Sequence, residues 1–160
     1  MSDQAMPFRL DQYALEKRFS ARIDTLFRIF STPDLAWRWQ FEDSLLDVID
    51  FRSDFTVGGG LWTQWRIDHG APIRVEIRYE HIERNARIAS TYRFWQGDTF
   101  VSLSLADLTF RPEGDTTLLN LSESIHLYSD VDDTSKRRDL TSWSLGRMEQ
   151  LAQKLEREAV

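Results

Sequence analysis

The chain has 160 residues, 41% of them hydrophobic and 29% charged, with a formal net charge of −6. These values are typical of a globular protein with one domain and a substantial core. The acidic balance, without a long basic run, argues against a nucleic-acid partner. The lack of cysteine excludes disulfides, thiolate metal sites and cysteine nucleophiles. No signal-like or membrane-spanning pattern is present, so we expect a cytoplasmic protein that does not engage a membrane.

The first part of the chain predicts an arm, a strand and two short helices. Residues 1–12 carry Pro7 and are predicted to form a loose N-terminal arm, and residues 13–160 a single domain. Residues 13–20 are predicted as the first strand. Apolar residues then follow at helical spacing: Ile23, Leu26, Phe27 and Phe30. The sequence from Ser31 to Asp34 ends this helix and begins a second short one.

Residues 45–128 predict one strand after another. Gly58, Gly59 and Gly60 indicate a tight bend, because glycine permits positive φ and close backbone approach. The clearest strand covers residues 73–82, and one of its faces carries Ile73, Val75, Ile77, Tyr79 and His81. In residues 101–110 the apolar positions change parity, since Val101, Leu103 and Leu105 oppose Leu108 and Phe110. A bulge near Asp107 is predicted to restore the facing.

A long C-terminal helix is predicted over residues 134–157. Its buried stripe is expected to contain Leu140, Met148, Leu151 and Leu155, and the basic run of residues 136–138 is interpreted as a solvated helix start. The element order indicates an α+β fold, with a curved antiparallel sheet against the long helix.

Four stretches in this order resemble the START-like (SRPBCC) helix-grip superfamily, in its branch of activator-of-Hsp-ATPase-homologue-like and polyketide-cyclase-like domains. They are residues 19–34 with Trp39, residues 54–59, residues 87–94 and residues 117–155. The resemblance implies a seven-stranded antiparallel sheet wrapped around the final helix, two short helices after the first strand, and an internal cavity. It implies no cofactor. Members include lipid or polyketide carriers, cyclases, hydrolases and co-chaperone domains, so the fold alone selects no function.

Two ionisable residues are predicted to lie on apolar strand faces. Glu123 is in phase with Leu121 and Ile125, and His81 is in phase with Tyr79. A buried carboxylate must change its pKa, find a partner or face a wet cavity. Both residues are therefore candidates for polar anchors or for a catalytic acid–base pair. The alternative is that both lie near strand ends, partly exposed or bonded to neighbouring arginine and backbone groups.

The aromatic content predicts either a ligand pocket or plain core packing. The candidate ligand-binding residues are Trp37, Trp39, Phe51, Trp62, Trp65, Tyr79, Tyr92, Phe94, Glu123 and Trp143. Strand parity does not decide which of Trp62 and Trp65 points inward. Arg66 and Arg93 could pair with an acidic ligand or lie on solvated faces. The three histidines are far apart in sequence, so no metal site is expected.

We therefore expect a domain that binds a small apolar or amphipathic molecule between sheet and helix. The alternatives are a cyclase- or hydrolase-type enzyme with Glu123 or His81 as general base, and a module that binds a chaperone or another protein. Self-association as a homodimer is left open by the sequence.

Overall fold

The computed structural model describes residues 9–159, which form seven strands and three helices. In chain order these are β1 (Arg9–Phe19), α1 (Ile23–Ser31), α2 (Pro33–Phe41), β2 (Leu46–Ser53), β3 (Gly60–Ile67), β4 (Ile73–Glu83), β5 (Arg87–Gln96), β6 (Thr99–Glu113), β7 (Thr116–Leu127) and α3 (Thr134–Glu158). The strands form one antiparallel sheet in the order β1-β7-β6-β5-β4-β3-β2. The predicted α+β helix-grip fold is confirmed.

The start of β1 corrects the predicted arm. β1 begins at Arg9 and pairs with β7 along its whole length, from the Arg9–Leu127 pair to the Phe19–Thr117 pair. Residues 9–12 therefore belong to the sheet, and the rest of the predicted arm lies outside the described residues. The first four residues of β1 are all exposed, so their side chains do not alternate between apolar and polar, and the sequence pattern does not indicate a strand there.

The glycine triplet forms the predicted bend between β2 and β3. Gly58 has a φ of +86° and donates its N–H to the carbonyl of Tyr79 at 2.8 Å. A Cβ at Gly60 would lie 1.9 Å from the carbonyl oxygen of Ile77, so no larger residue fits without moving β4. The bend thus seats the start of β3 directly on β4, which brings the next side chains of β3 toward the sheet's inner face.

The core lies between the inner face of the sheet and the three helices. Its fully buried members include Phe19 of β1, Leu26 and Ile29 of α1, Leu119 of β7 and Ala152 of α3. The N-terminus of α3 is capped by Asp133, whose carboxylate accepts from the backbone N–H of Lys136 at 2.8 Å. The later part of α3 packs into the core through Leu145, Met148 and Leu151, and its first turns are bonded to β6, β7 and β1.

The parity of β6 differs from the prediction. The inward face of this strand is continuous through Ser102, Ser104, Ala106, Leu108 and Phe110, and the pairing with β7 has no shift near residue 107. The irregularity in β6 lies instead opposite the Phe94–Trp95 step of β5. Small side chains therefore line the sheet beneath α3, while two leucines that the pattern placed on the buried face point outward, one of them 52% exposed at position 105.

Candidate functional site

A cavity of about 200 Å³ lies between the sheet, the end of α2 and the first half of α3. Most of its lining residues are apolar or aromatic. They include Trp39 and Phe41 of α2; Leu61, Thr63 and Trp65 of β3; Val75, Ile77 and Tyr79 of β4; Ile88, Ser90, Tyr92 and Phe94 of β5; Ala106 and Leu108 of β6; and Arg137, Leu140, Thr141, Trp143, Ser144, Leu145 and Met148 of α3. A mostly apolar wall with few polar groups is the usual composition of a small-molecule site.

A buried arginine forms one end of this cavity. Arg137 is 2% exposed, and its Nη1 donates to Glu123 Oε1 at 3.0 Å. Its Nε donates to Asp132 Oδ2 at 3.1 Å, and its Nη2 donates to Ser102 Oγ at 2.7 Å. Ser104 Oγ lies 3.5 Å from Nη1. Each guanidinium nitrogen thus has a protein acceptor, as a buried cation requires.

Arg137 stays charged in this environment. Burial alone would lower the pKa of its guanidinium, but the facing charge of Glu123, with Tyr92 and Asp132, outweighs burial and raises the pKa. The guanidinium carbon also lies 5.2 Å from the ring centroid of Phe94. The prediction that residues 136–138 form a solvated helix start is therefore wrong for Arg137. Helical spacing offered a signal, because Arg137 lies four residues before Thr141 and eight before Leu145 on one helix face.

Glu123 is buried as its strand phase predicted, and it has an arginine partner. The residue is 4% exposed on the inner face of β7. Tyr13, on the adjacent strand, donates to or accepts from Thr141 Oγ1 at 2.8 Å, which ties β1 to α3 beside this carboxylate. Burial raises the pKa of the Tyr13 phenol, and the charge of Glu123 adds to the rise. Arg137 lines the cavity, whereas Glu123 is not part of its lining and contacts the guanidinium of Arg137.

His81 lies on the opposite side of the sheet from its predicted position. The pairing of β4 with β5 shifts between Tyr79 and His81, so His81 is opposite Ala89 and its side chain is 60% exposed. The bulge at Glu80 uses one extra residue, which reverses the facing of everything that follows. The expected inward orientation of His81 is therefore wrong, and this histidine cannot reach a molecule in the cavity.

The aromatic candidates divide into two groups. Those that line the cavity are Trp39, Trp65, Tyr79, Tyr92, Phe94 and Trp143. The other three lie elsewhere: Trp37 is 38% exposed on α2, Phe51 packs against Phe41 at a centroid distance of 6.0 Å, and Trp62 faces outward under Arg52. Trp65 is thus the inward member of its pair. Trp143 is half exposed and marks the mouth of the cavity.

The two arginine candidates also lie outside the cavity. Arg66 donates from Nε to Asp47 Oδ2 at 3.1 Å on the outer face, and Arg93 is exposed on β5. Their solvated interpretation is the correct one. Sequence reasoning gave no weight to Leu61, Thr63 or Ser90, which line the cavity because the glycine bend and the β4–β5 register turn them inward.

Two tyrosine hydroxyls in the cavity wall have no protein partner. Within residues 9–159, neither Tyr79 nor Tyr92 forms a hydrogen bond through its hydroxyl, although Tyr79 is only 6% exposed. The two residues are diagonal neighbours on adjacent strands, since Tyr79 is opposite Ser90 and Tyr92 is opposite Ile77. Diagonal neighbours on one sheet face lie about 7–8 Å apart. Both rings therefore present polar ends to the same part of the cavity.

The family model for the Activator of Hsp90 ATPase homolog 1-like protein matches residues 20–157. The chain belongs to this family. The predicted resemblance to the START-like superfamily in this branch is confirmed. A search of curated proteins gave no match.

Three of the solved structures that share the fold show how far the likeness extends. Protein Mll3558 from Rhizobium loti is 24% identical, with a TM-score of 0.83, and the match covers 90% of this chain and 98% of that one. A Rhizobium leguminosarum protein is also 24% identical, with a TM-score of 0.85 and coverages of 92% and 97%. The AHSA1-like protein from Aeromonas hydrophila is 16% identical, with a TM-score of 0.68 and coverages of 91% and 94%. At these identities the likeness concerns the fold.

In residues 9–159, no cluster of three or more histidine, aspartate or glutamate side chains is arranged to hold a metal ion. Nor does any helix in that range combine the length and the apolar character needed to cross a bilayer.

Proposed function

We propose that this protein binds a small apolar or amphipathic molecule in the cavity between the sheet and α3. The observation that carries the proposal is the composition of the wall: aromatic and aliphatic side chains over most of its area, with few polar groups among them. A preformed cavity of this kind gains affinity by removing apolar ligand surface from water, while a few fixed polar groups orient the ligand.

The size of the cavity limits the ligand. Its volume of about 200 Å³ is below the roughly 300–1,000 Å³ of drug-sized sites. An apolar cavity of about 150 Å³ accepts benzene. We therefore expect a molecule of one or two fused rings, or a short alkyl chain, rather than a long-chain lipid.

An enzymatic role for Glu123 receives less support. Its carboxylate is held by Arg137 at 3.0 Å, and it stands behind the cavity wall, so it would have to leave a buried ion pair to accept a proton from a substrate. With His81 on the outer face, Glu123 also has no acid–base partner of the expected kind. The Arg137–Glu123 pair is better suited to shaping the cavity.

Naphthalene binding tests the proposal, measured by isothermal titration calorimetry on the purified protein. Ser90→Phe adds a ring to the cavity wall and should abolish naphthalene binding, because Ser90 is 7% exposed and lines the cavity. Ser122→Phe adds the same ring to the exposed face of β7 and should leave binding unchanged. Equal binding by Ser90→Phe and the wild type would place the ligand outside the cavity and refute the proposal.

Native mass spectrometry of the freshly purified protein gives an independent measure. We expect a stoichiometric small-molecule adduct whose mass falls in the size range set by the cavity. The same adduct should be missing from Ser90→Phe and retained by Ser122→Phe. An adduct retained by both variants would contradict binding in this cavity.

A further inference from the structure

The cavity contains two hydrogen-bond donors that the protein itself does not use. The hydroxyls of Tyr79 and Tyr92 face it from adjacent strands, and within the described chain neither forms a hydrogen bond. Neither hydroxyl is sealed from the cavity, because within residues 9–159 the buried side-chain polar atom that lacks a partner is Ser53 Oγ and not a tyrosine oxygen. Two open donors on one patch of an otherwise apolar wall therefore point to an acceptor supplied by the ligand.

The charged end of the cavity offers no site to an anion. Arg137 is the cation there, and its guanidinium nitrogens are already bonded to Glu123, Asp132 and two serine hydroxyls. One positive charge faces two carboxylates, so the group carries a net charge of −1. A ligand carboxylate would lose its hydration, meet a net negative charge and find no free arginine N–H.

We propose that the cavity selects a neutral molecule carrying a hydrogen-bond acceptor, such as a ketone or ether oxygen, which the hydroxyls of Tyr79 and Tyr92 hold. This proposal rests on the proposed binding function and specifies the chemical class of the ligand. The aromatic walls take the apolar body of the molecule, and the tyrosine pair fixes the position of its oxygen.

The protonation of the tyrosines agrees with this role. Burial raises the pKa of both phenols above their usual range; for Tyr92 the nearby positive charge of Arg137 opposes the rise without cancelling it. Both hydroxyls therefore remain O–H donors throughout the physiological pH range. A phenol that cannot ionise there is a fixed donor, which suits a carbonyl or ether acceptor.

Three naphthalene derivatives of one shape test the proposal by isothermal titration calorimetry. 2-Acetonaphthone carries a neutral acceptor, 2-ethylnaphthalene lacks it, and 2-naphthoate carries a negative charge. The ketone should bind about three- to tenfold more tightly than the hydrocarbon, which is the effect of one hydrogen bond. The naphthoate should bind at least about tenfold more weakly than the ketone.

Tyrosine variants identify the groups responsible. The double variant Tyr79→Phe/Tyr92→Phe keeps both rings in the wall and removes both hydroxyls, so it should bind the ketone and the hydrocarbon with similar affinities. Tyr128→Phe is the matched control, because Tyr128 stacks on Phe100 and does not line the cavity within the described structure. It should leave all three affinities unchanged.

The outcomes separate this proposal from the proposed function. If the hydrocarbon binds and the ketone has no advantage, or if the naphthoate binds most tightly, the acceptor proposal is refuted while binding in the cavity stands. If the ketone's advantage survives in the double variant, the tyrosine pair is not its cause and the proposal is refuted. If none of the three probes binds, both proposals fail.

Discussion

Replacement of Arg137 by methionine should destabilise the fold strongly. Methionine has a similar length but no charge, so it would leave the carboxylates of Glu123 and Asp132 without their partner, at 4% and 8% exposure. Removal of one member of a buried ion pair costs about 3–5 kcal/mol, mostly because the remaining charge stays buried. A domain of this size has a total stability of about 5–15 kcal/mol, so the loss would be a large fraction of it.

Urea denaturation followed by circular dichroism measures this loss. Arg138→Met is the matched control, because this neighbouring arginine is exposed and its removal should change stability by no more than about 0.5 kcal/mol. The double variant Arg137→Met/Glu123→Gln should recover part of the loss, since it removes one of the unpaired charges.

A loss below about 1 kcal/mol for Arg137→Met would mean that water reaches both carboxylates and that the arginine is not a structural element of the cavity wall. A double variant Arg137→Met/Glu123→Gln that is no more stable than Arg137→Met would contradict the role assigned to Glu123, even if the loss in Arg137→Met were large.

Three further predictions concern other parts of the fold. Gly60→Ala should lower the free energy of unfolding by more than about 2 kcal/mol in urea denaturation, because the added Cβ would lie 1.9 Å from the carbonyl oxygen of Ile77. Gly146→Ala on α3 is the control: its added Cβ would meet open space, so it should gain about 0.5–1 kcal/mol. Equal effects of the two substitutions would refute the close approach at Gly60. Arg147→Ala removes hydrogen bonds of 2.6 and 2.5 Å to two carbonyls at the end of α2. We expect the free energy of unfolding to fall by about 1–3 kcal/mol and the amides of α2 to exchange faster. Unchanged exchange in α2 would contradict this contact. Burial raises the pKa of three of the four tyrosines, so the native protein should develop less tyrosinate absorbance near pH 10 than the urea-unfolded protein. The native protein should also lose stability as the pH rises beyond that point. Coincident titration curves of the native and unfolded protein would refute the burial.

The sequence predicted the fold well and the cavity wall in part. Glu123 was placed correctly because β7 has no irregularity, so strict alternation held along it. His81 was misplaced because the bulge at Glu80 has no glycine or proline to mark it. The prediction for β6 failed for another reason. Its inward face uses Ser102 and Ser104 beneath Arg137, so the hydrophobic pattern gives the wrong face where the strand meets a buried charge.

Arg137 and the small residues of β6 together explain why a cavity exists at this position. Further along α3, Leu145, Met148 and Leu151 pack into the core, and an apolar side chain at position 137 could have continued that contact over the first half of the helix. A buried ion pair is often no more stabilising than apolar residues of similar volume. Its value must then lie in geometry: the arginine fixes the start of α3 through Glu123 and Asp132, and the space between this contact and the core stays open. The ion pair therefore keeps the cavity open rather than adding to the stability of the fold. A ligand that fills the cavity would regain the packing contacts that the empty space forgoes.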